Sequence, residues 1–356
     1  MKSYLNFTLK GRRFLPLWIV FIFLFMIPFY FLTNEFSNLT ASEVPAGGPS
    51  TRFFLYLIIV FAVFFTFVFY SSKLILQSLE FRGSKIICDF HTNKYIGIVV
   101  SGLVLSIVTL GIYIPWFIRN IHRFFVHGAV YNSHKFAFKG TGGKLFLIMT
   151  LAIFIPFIVV GFIVFTILNS NIDIRIYQIM VLSSLVSIIY LTFKWMVVIR
   201  YKDYLIRLDT GFFQAMWKIT IELVLAVMLV FIFSWLVSVS SVFWPNADFV
   251  PTTGKIVFEL VLAVLTLGFY FPMAFIRLYR YFSEHTKSNA VDGRQITMGY
   301  DGDQLSDFLF IWGQILLTLI TFGIYFPWAF CNIAQRLLTQ TFVSVGLVPS
   351  ESKQVD

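Results

Sequence analysis

"TLGIYIPWFIRNIHRFF" runs from Thr109 to Phe125. It follows an apolar run, places Gly111 and Pro115 four residues apart, and then turns basic. Two later stretches repeat the pattern: "TLGFYFPMAFIRLYRYF" from Thr266 and "TFGIYFPWAFCNIAQRL" from Thr321. Glycine leaves helical dihedrals at low cost. Proline cannot continue a helix but suits its first position, and the residue before it is pushed towards extended geometry. T-[LF]-G-[IF]-Y-x-P therefore reads as a break between two helices. The break positions are Gly111, Tyr113 and Pro115, then Gly268, Tyr270 and Pro272, then Gly323, Tyr325 and Pro327. The tyrosines, with Trp116 and Trp328, are amphipathic rings suited to the headgroup level of a bilayer.

After the first break, Phe117, Ile118, Ile121, Phe124 and Phe125 fall on one helical face, with Arg119, His122, Arg123 and His127 on the other. That is the pattern of an amphipathic helix at a membrane interface. The second copy repeats it with Arg277 and Arg280, and the third keeps only Arg336 among strong bases. Two readings of the break stand. It ends a span and starts an interfacial helix, or the broken segments flank a substrate site, as in transporters built from internal repeats.

Working outward, 58% of the 356 residues are hydrophobic and 12% are charged, against about a quarter charged in a soluble domain. Mean hydropathy is +0.84. Lipid is the solvent such a chain requires. The net charge of +10 fits cytoplasmic loops facing anionic headgroups. The bases are scattered between apolar runs, which argues against nucleic acid. Two cysteines, Cys88 and Cys331, lie far apart and outline no disulfide framework or zinc site.

Eight apolar stretches run roughly over 14–33, 53–79, 95–114, 145–169, 176–199, 213–240, 254–275 and 307–328. The expectation is an all-α polytopic membrane protein of about eight apolar helices, some kinked or re-entrant. Short β-ribbons are expected on its cytoplasmic face, over 84–95, 134–144, 204–211 and 294–305, where alternating residues run into Gly, Asp or Asn. Lys10, Arg12 and Arg13 hold the N-terminus inside. Two resolutions of 95–131 stand. Keeping Arg119, Arg123, Lys135, Lys139 and Lys144 on the same side makes it a kinked, re-entrant hairpin that enters to Gly111 and returns, the favoured reading. Otherwise 95–114 spans fully and the charge rule fails locally. The expected division is 1–79 as two N-terminal transmembrane helices, 80–345 as the membrane domain with the three breaks, and 346–356 as a tail.

Catalytic chemistry is not legible. "GTGGK" at 140–144 lacks phosphate-loop spacing, no nucleophile elbow occurs, and the five histidines outline no metal site. No cofactor is expected. Lys218–Glu222 and Lys255–Glu259 repeat a lysine four residues before a glutamate at the start of an apolar helix. Each spacing allows an i,i+4 ion pair on one helical face, and Glu222 or Glu259 is a candidate intramembrane carboxylate. Arg119, Arg123, Lys144, Arg277 and Arg280 are the candidate lipid-headgroup residues.

"FAFKGTGGKLF" (136–146), taken with "TLGIYIPW" and the Arg-rich aromatic helix after it, resembles the YjgN-like family of bacterial inner-membrane proteins, a domain of unknown function. Phe136, Phe138, Gly140 and Gly142 carry the first part, and Thr109, Leu110, Gly111, Ile112, Tyr113, Pro115 and Trp116 the second. The resemblance covers the chain from about residue 80, with the first two helices looking like an addition. It implies a multi-pass inner-membrane protein and supplies no catalytic residue. Two functions follow as expectations: a transporter- or channel-like role through a cavity among the broken helices, or a lipid-interacting scaffold without transport. The expected partners are anionic membrane lipids and not nucleic acid, and no oligomeric state is assigned.

Overall fold

The structure is a computed structural model that describes residues 2–41, 50–151, 188, 190–211, 213–215, 217–222, 225, 270 and 272–347. Its frame is a sheet. Strands β1 (Lys2–Phe7), β2 (Leu79–Phe81), β3 (Ser84–Lys85), β4 (Ile87–Cys88), β5 (Ala129–Tyr131), β6 (His134–Phe138), β7 (Ile199–Tyr201), β8 (Tyr204–Leu208), β9 (Thr286–Ser288), β10 (Arg294–Tyr300) and β11 (Thr341–Leu347) join in one 11-stranded sheet. The order is β3-β2-β1-β11-β10-β9-β8-β7-β6-β5-β4, and every pair is antiparallel.

Only Ile86 separates β3 from β4, the two ends of that order. The run 84–88 therefore pairs with β2 through its first half and with β5 through its second. Ile86 N–H donates to Leu79 O (3.1 Å), Asp89 N–H to Gly128 O (2.8 Å), and Tyr131 OH reaches across the seam to Phe81 O (3.0 Å). The sheet is a nearly closed barrel, which leaves almost no free edge.

Antiparallel order puts all tight turns at one end of the barrel and all long excursions at the other. At the turn end, Arg82-Gly83, Asn132-Ser133 and Asp292-Gly293 each set two successive residues at positive φ. That is the I′ geometry that matches strand twist. At the other end the chain leaves and returns five times, over 8–78, 89–128, 139–198, 209–285 and 301–340. Each departure and return stands on neighbouring paired strands.

Three excursions are helical hairpins. The first holds α1 (Gly11–Ala41) and α2 (Thr51–Gln77), the second α3 (Thr92–Val108) and α4 (Ile114–Gly128), and the fifth α6 (Gln304–Ile320) and α7 (Phe326–Thr339). The third starts with α5 (Gly142–Met149) and the fourth holds helical residues over 213–215, 217–222 and 272–284. In the first hairpin, α1 and α2 are each long and apolar enough to cross a membrane. By contrast α3 and α6 have 17 residues each, a rise of about 25 Å, and then turn back.

The expectation of an all-α protein with about eight spanning helices is therefore corrected. The extended stretches are not isolated ribbons but strands of one sheet, extended by β1, β2, β5, β7, β9 and β11. Among the described residues two helices, not about eight, are long and apolar enough to span. The stretches expected at 145–169, 176–199, 213–240 and 254–275 lie largely outside the described residues. The physical reason for the miss is locality. Strands of two to seven residues carry almost no periodic signal, and their partners lie tens to hundreds of residues away.

Neighbouring excursions interlock. Trp116 of α4 packs on Gly142, which opens α5, and Trp328 of α7 packs on Gly11, which opens α1. A Cβ on Gly142 would meet Trp116 at 2.5 Å, and one on Gly11 would meet Trp328 at 2.6 Å. Trp195 Nε1–H also donates to Thr141 O (2.9 Å), tying the second half of the third excursion to its start. Side chains that alternate along the strands sort into two faces. Following the register around the barrel, Lys2, Lys85, Lys135, Arg200, Arg207 and Lys287 share one face. Leu5, Phe81, Tyr131, Phe136, Tyr201, Ile206 and Met298 share the other.

Gly142→Val is expected to cost about 2 kcal/mol through the clash with Trp116. Gly143→Ala, at a neighbouring position where a Cβ meets nothing within 4 Å, should be neutral or slightly stabilising because alanine is the better helix former. Chemical unfolding in detergent compares the two. Equal stability for both variants would contradict the interlock.

Candidate functional site

The three repeated breaks define the first layer of the site. At the first, Leu110 N–H donates to Ile107 O (3.1 Å) and Gly111 N–H to Ser106 O (2.7 Å). At the third, Phe322 N–H donates to Leu319 O (3.0 Å) and Gly323 N–H to Thr318 O (2.8 Å). Both are Schellman closures of the outgoing helix. Gly111 sits at φ +90° and Gly323 at +83°, a conformation that disfavours any residue with a Cβ. The motif threonine also acts. Thr109 Oγ1 accepts Tyr113 N–H at 3.0 Å, and Thr321 Oγ1 accepts Tyr325 N–H at 3.0 Å. Each hydroxyl thus satisfies the first amide of the returning helix, where Pro115 or Pro327 follows.

These two breaks are hairpin tips. Leu110 is 93% exposed and Phe322 96%, so both apolar side chains project from the protein. The helices after them pack back on the helices before them. Phe117 of α4 fills the space where Gly102 of α3 has no side chain. The amphipathic segment after Pro115 is thus the return limb of a hairpin, with its apolar face on its partner helix.

One polar layer lies below the tips. Tyr325 OH donates to Gln314 Oε1 (3.2 Å), and Asn332 Nδ2–H donates to the same oxygen (2.9 Å). In the second hairpin Asn120 Nδ2–H reaches Tyr113 OH at 3.4 Å. The copy at 266–282 is charged at the matching position. Tyr270 OH donates to Glu222 Oε2 (2.7 Å), and Arg277 Nη1–H reaches that oxygen (3.4 Å) and Tyr270 OH (3.2 Å). Lys218 Nζ lies 3.3 Å from Glu222 Oε1. Glu222 is 2% exposed while Lys218 and Arg277 are 40% and 34% exposed. The carboxylate is sealed in and its two cations reach outward.

A second buried carboxylate lies nearer the barrel. Asp307, in the first turn of α6, is fully buried. Arg336 Nε–H donates to its Oδ1 (2.7 Å), Tyr300 OH donates to its Oδ2, and Arg336 Nη2–H donates to Ser306 Oγ (2.7 Å). Tyr300 OH also lies 2.6 Å from the Gln340 side chain. Burial, and then the Asp307 carboxylate, push the Tyr300 phenol upwards, so it stays a donor. The helix start itself favours the negative charge.

Between these two clusters a cavity of about 360 Å³ is lined by Lys218, Arg277, Arg280, Tyr281, Glu284 and Gln304. Arg280 also donates to Gly302 O and stands 5.6 Å over the Tyr300 ring.

Of the residues singled out by sequence, Glu222, Tyr270, Arg277 and Arg280 are thus brought to one place, with Pro272 buried beside them. Gly111, Tyr113, Pro115, Gly323, Tyr325 and Pro327 occupy the tips. Arg119, Arg123 and Lys144 lie apart, on the second and third excursions. Arg119 Nη1–H donates to Asn120 Oδ1 (3.1 Å), and Arg123 and Lys144 are exposed. Gly268 and Glu259 lie outside the described residues. The sequence motifs do not mark Asp307, Tyr300 or Gln340, and they mark Arg336 only as the strong base of the third copy. The signal available was an acidic residue opening the apolar run "DFLFIW", but its arginine lies 29 positions away. Among the described residues no group of three or more His, Cys, Asp or Glu side chains is arranged to hold a metal ion.

Comparison with known proteins adds one relationship. Residues 2–118 match the family model described as "Bacterial protein of unknown function (DUF898)". Inner membrane protein YjgN of Salmonella typhimurium is 33% identical over 85 residues, 24% of this chain and 21% of that protein. Over these residues the chain resembles the YjgN-like family. The match spans about a fifth of the relative's length, and the family region takes in α1 and α2, which the motifs alone had set apart as an addition. This likeness supports an inner-membrane protein of unknown function. No solved structure matches the chain.

Arg336→Met is expected to destabilise the protein by about 3 kcal/mol at neutral pH, because it strands Asp307 as a buried, unpaired charge. Adding Asp307→Leu to that variant should restore most of the loss. Denaturant titration of the two single variants and the double variant reads the coupling, and strict additivity would contradict the pairing.

Proposed function

We propose that this chain is an inner-membrane scaffold that grips anionic lipid, with the barrel at the cytoplasmic surface and the helical excursions inserted from it. One observation carries the reading: each excursion begins and ends on neighbouring paired strands. Segments that enter a bilayer from such a frame must return to the side they left. The first hairpin has the length to cross and come back, whereas the second and fifth turn at Gly111 and Gly323 after about 25 Å, near the far side of the hydrocarbon. The exposed Leu110 and Phe322 suit lipid contact there.

Charge supports the orientation. The face bearing Lys2, Lys85, Lys135, Arg200, Arg207 and Lys287 lies on the frame, where cytoplasmic bases belong by the positive-inside rule. Such bases attract anionic lipid at about 1 kcal/mol each. Some are partly neutralised locally. The Lys2 ammonium, with Tyr4 OH, holds the Asp301 carboxyl below its usual range, and Lys287 does the same for Asp209. The transporter- or channel-like reading rests on broken helices lining a passage. The two described breaks instead cap hairpins, and Glu222 is occupied by Lys218, Arg277 and Tyr270, so the scaffold reading has the better support.

The test uses a Cys88→Ser, Cys331→Ser parent carrying single cysteines. Ser133→Cys, Lys202→Cys and Asp292→Cys are expected to react with a membrane-impermeant maleimide only in inverted membrane vesicles. Thr51→Cys, at the far end of α1 and α2, should react only from the outside. Division of the three turn positions between the two sides would end the proposal. Lipid grip is read separately, from the lipid that co-purifies in mild detergent. Anionic species should be enriched with the parent and depleted when Lys85, Lys135 and Lys287 are changed together to Gln.

A further inference from the structure

The cavity lined by Lys218, Arg277, Arg280, Tyr281, Glu284 and Gln304 lies between the two carboxylate clusters, and its lining keeps donors that those clusters do not use. Its chemistry is lopsided. Three cations reach it, and of the nearby carboxylates only Glu284 is in the lining. Asp307 is fully buried in its own pairing with Arg336 and Tyr300, and Asp301 pairs with Lys2. Glu222 lies behind the wall at 2% exposure, with both oxygens engaged. It acts as a fixed counter-charge that orients Lys218 and Arg277 from beneath and offers nothing to a ligand. Glu284 is half exposed, with its Oε1 4.0 Å from Arg280 Nε, a distance at which it draws Arg280 without bonding it.

Donors outnumber acceptors here. A guanidinium carries five N–H donors and an ammonium three. Among the described residues Arg277 uses Nη1 on Glu222 and Tyr270, and Arg280 uses Nη2 on Gly302 O. Arg280 Nε and Tyr281 OH are buried and have no hydrogen-bond partner among the described residues. Leaving such donors unmet is unfavourable. A group with several anionic oxygens answers all of these features together. A carboxylate brings two oxygens, whereas a phosphate brings more and pairs with arginine bidentately. The volume of about 360 Å³ holds a phosphate with its substituent.

We propose that this cavity, between the fourth excursion and the start of α6, binds a phosphate group through Lys218, Arg277 and Arg280. The source is a lipid headgroup if the scaffold reading holds, on which that assignment rests, or a soluble phosphate if it does not. In either case the ligand chemistry is the same, and it is set by cations held from behind by a buried glutamate.

The test is carried out on the full chain in detergent and in nanodiscs. Inorganic phosphate should bind the parent and raise its thermal midpoint, and phosphatidylcholine nanodiscs doped with phosphatidic acid should bind phosphate more weakly because the lipid competes. Lys218→Gln removes the ammonium of a 40% exposed side chain, and Arg277→Lys keeps a cation beside Glu222 while losing the fork. Each should weaken phosphate binding about tenfold, the size of one charge-assisted hydrogen bond. Lys94→Gln, at an exposed position in the first turn of α3 that belongs neither to the cavity nor to the basic barrel face, should leave it unchanged. Competition by phosphatidic acid assigns the site to lipid. Phosphate binding without competition assigns it to a soluble ligand and keeps the site while removing its link to the scaffold. Absence of phosphate binding by the parent, or an equal loss in Lys94→Gln, overturns the proposal.

Discussion

Strand pairing around the barrel is the constraint from which the remaining architecture follows. Antiparallel pairs fix the direction of each strand, and direction fixes which end each excursion leaves from. An apolar helix pair can then be long or short, broken or continuous, and still deliver its return limb to the correct neighbour. That tolerance accommodates α1 and α2 at 31 and 27 residues beside α3 and α6 at 17 each. The closing run 84–88 matters most, since two residues of β3 and two of β4 carry the junction between both sheet ends.

Two buried carboxylates hold limbs of the fourth and fifth excursions, and they do so differently. Asp307 faces a guanidinium at 2.7 Å and a tyrosine hydroxyl, a compact arrangement whose desolvation is met by short, charge-assisted bonds. Glu222 faces two cations at 3.3 and 3.4 Å, looser contacts that leave those cations with unused donors. The first arrangement consumes its charge internally, and the second projects a positive surface into a cavity. Half-burial of Cys88 pushes its thiol up to about 11, so the strand that closes the barrel carries a poorly reactive sulfur.

The repeated break was readable because its residues act locally. Gly111 and Gly323 need positive φ, Pro115 and Pro327 need a helix start, and each of these demands is met within a few residues. Thr109 and Thr321 act locally too, yet they looked like ordinary polar residues because the amide each hydroxyl satisfies becomes visible only when the chain doubles back. The lengths of α1 and α2 were equally plain from their apolar runs. The barrel was not legible. Lys2–Phe7 alternates, but nothing nearby says that its partner is Thr341–Leu347. The same holds for the site. Lys218 and Glu222 are one turn apart and were readable, whereas Arg277 joins them from 55 residues away.

The placement of β1 carries a consequence for how such a protein is made. β1 lies between β2 and β11, so one flank finds its partner once residue 81 has emerged and the other must wait for residue 341. During synthesis the chain therefore carries a half-satisfied ribbon through nearly its whole translation. A ribosome that stalls short of β11 would release a protein with raw backbone on both β1 and β10, ready to zip onto a sister molecule.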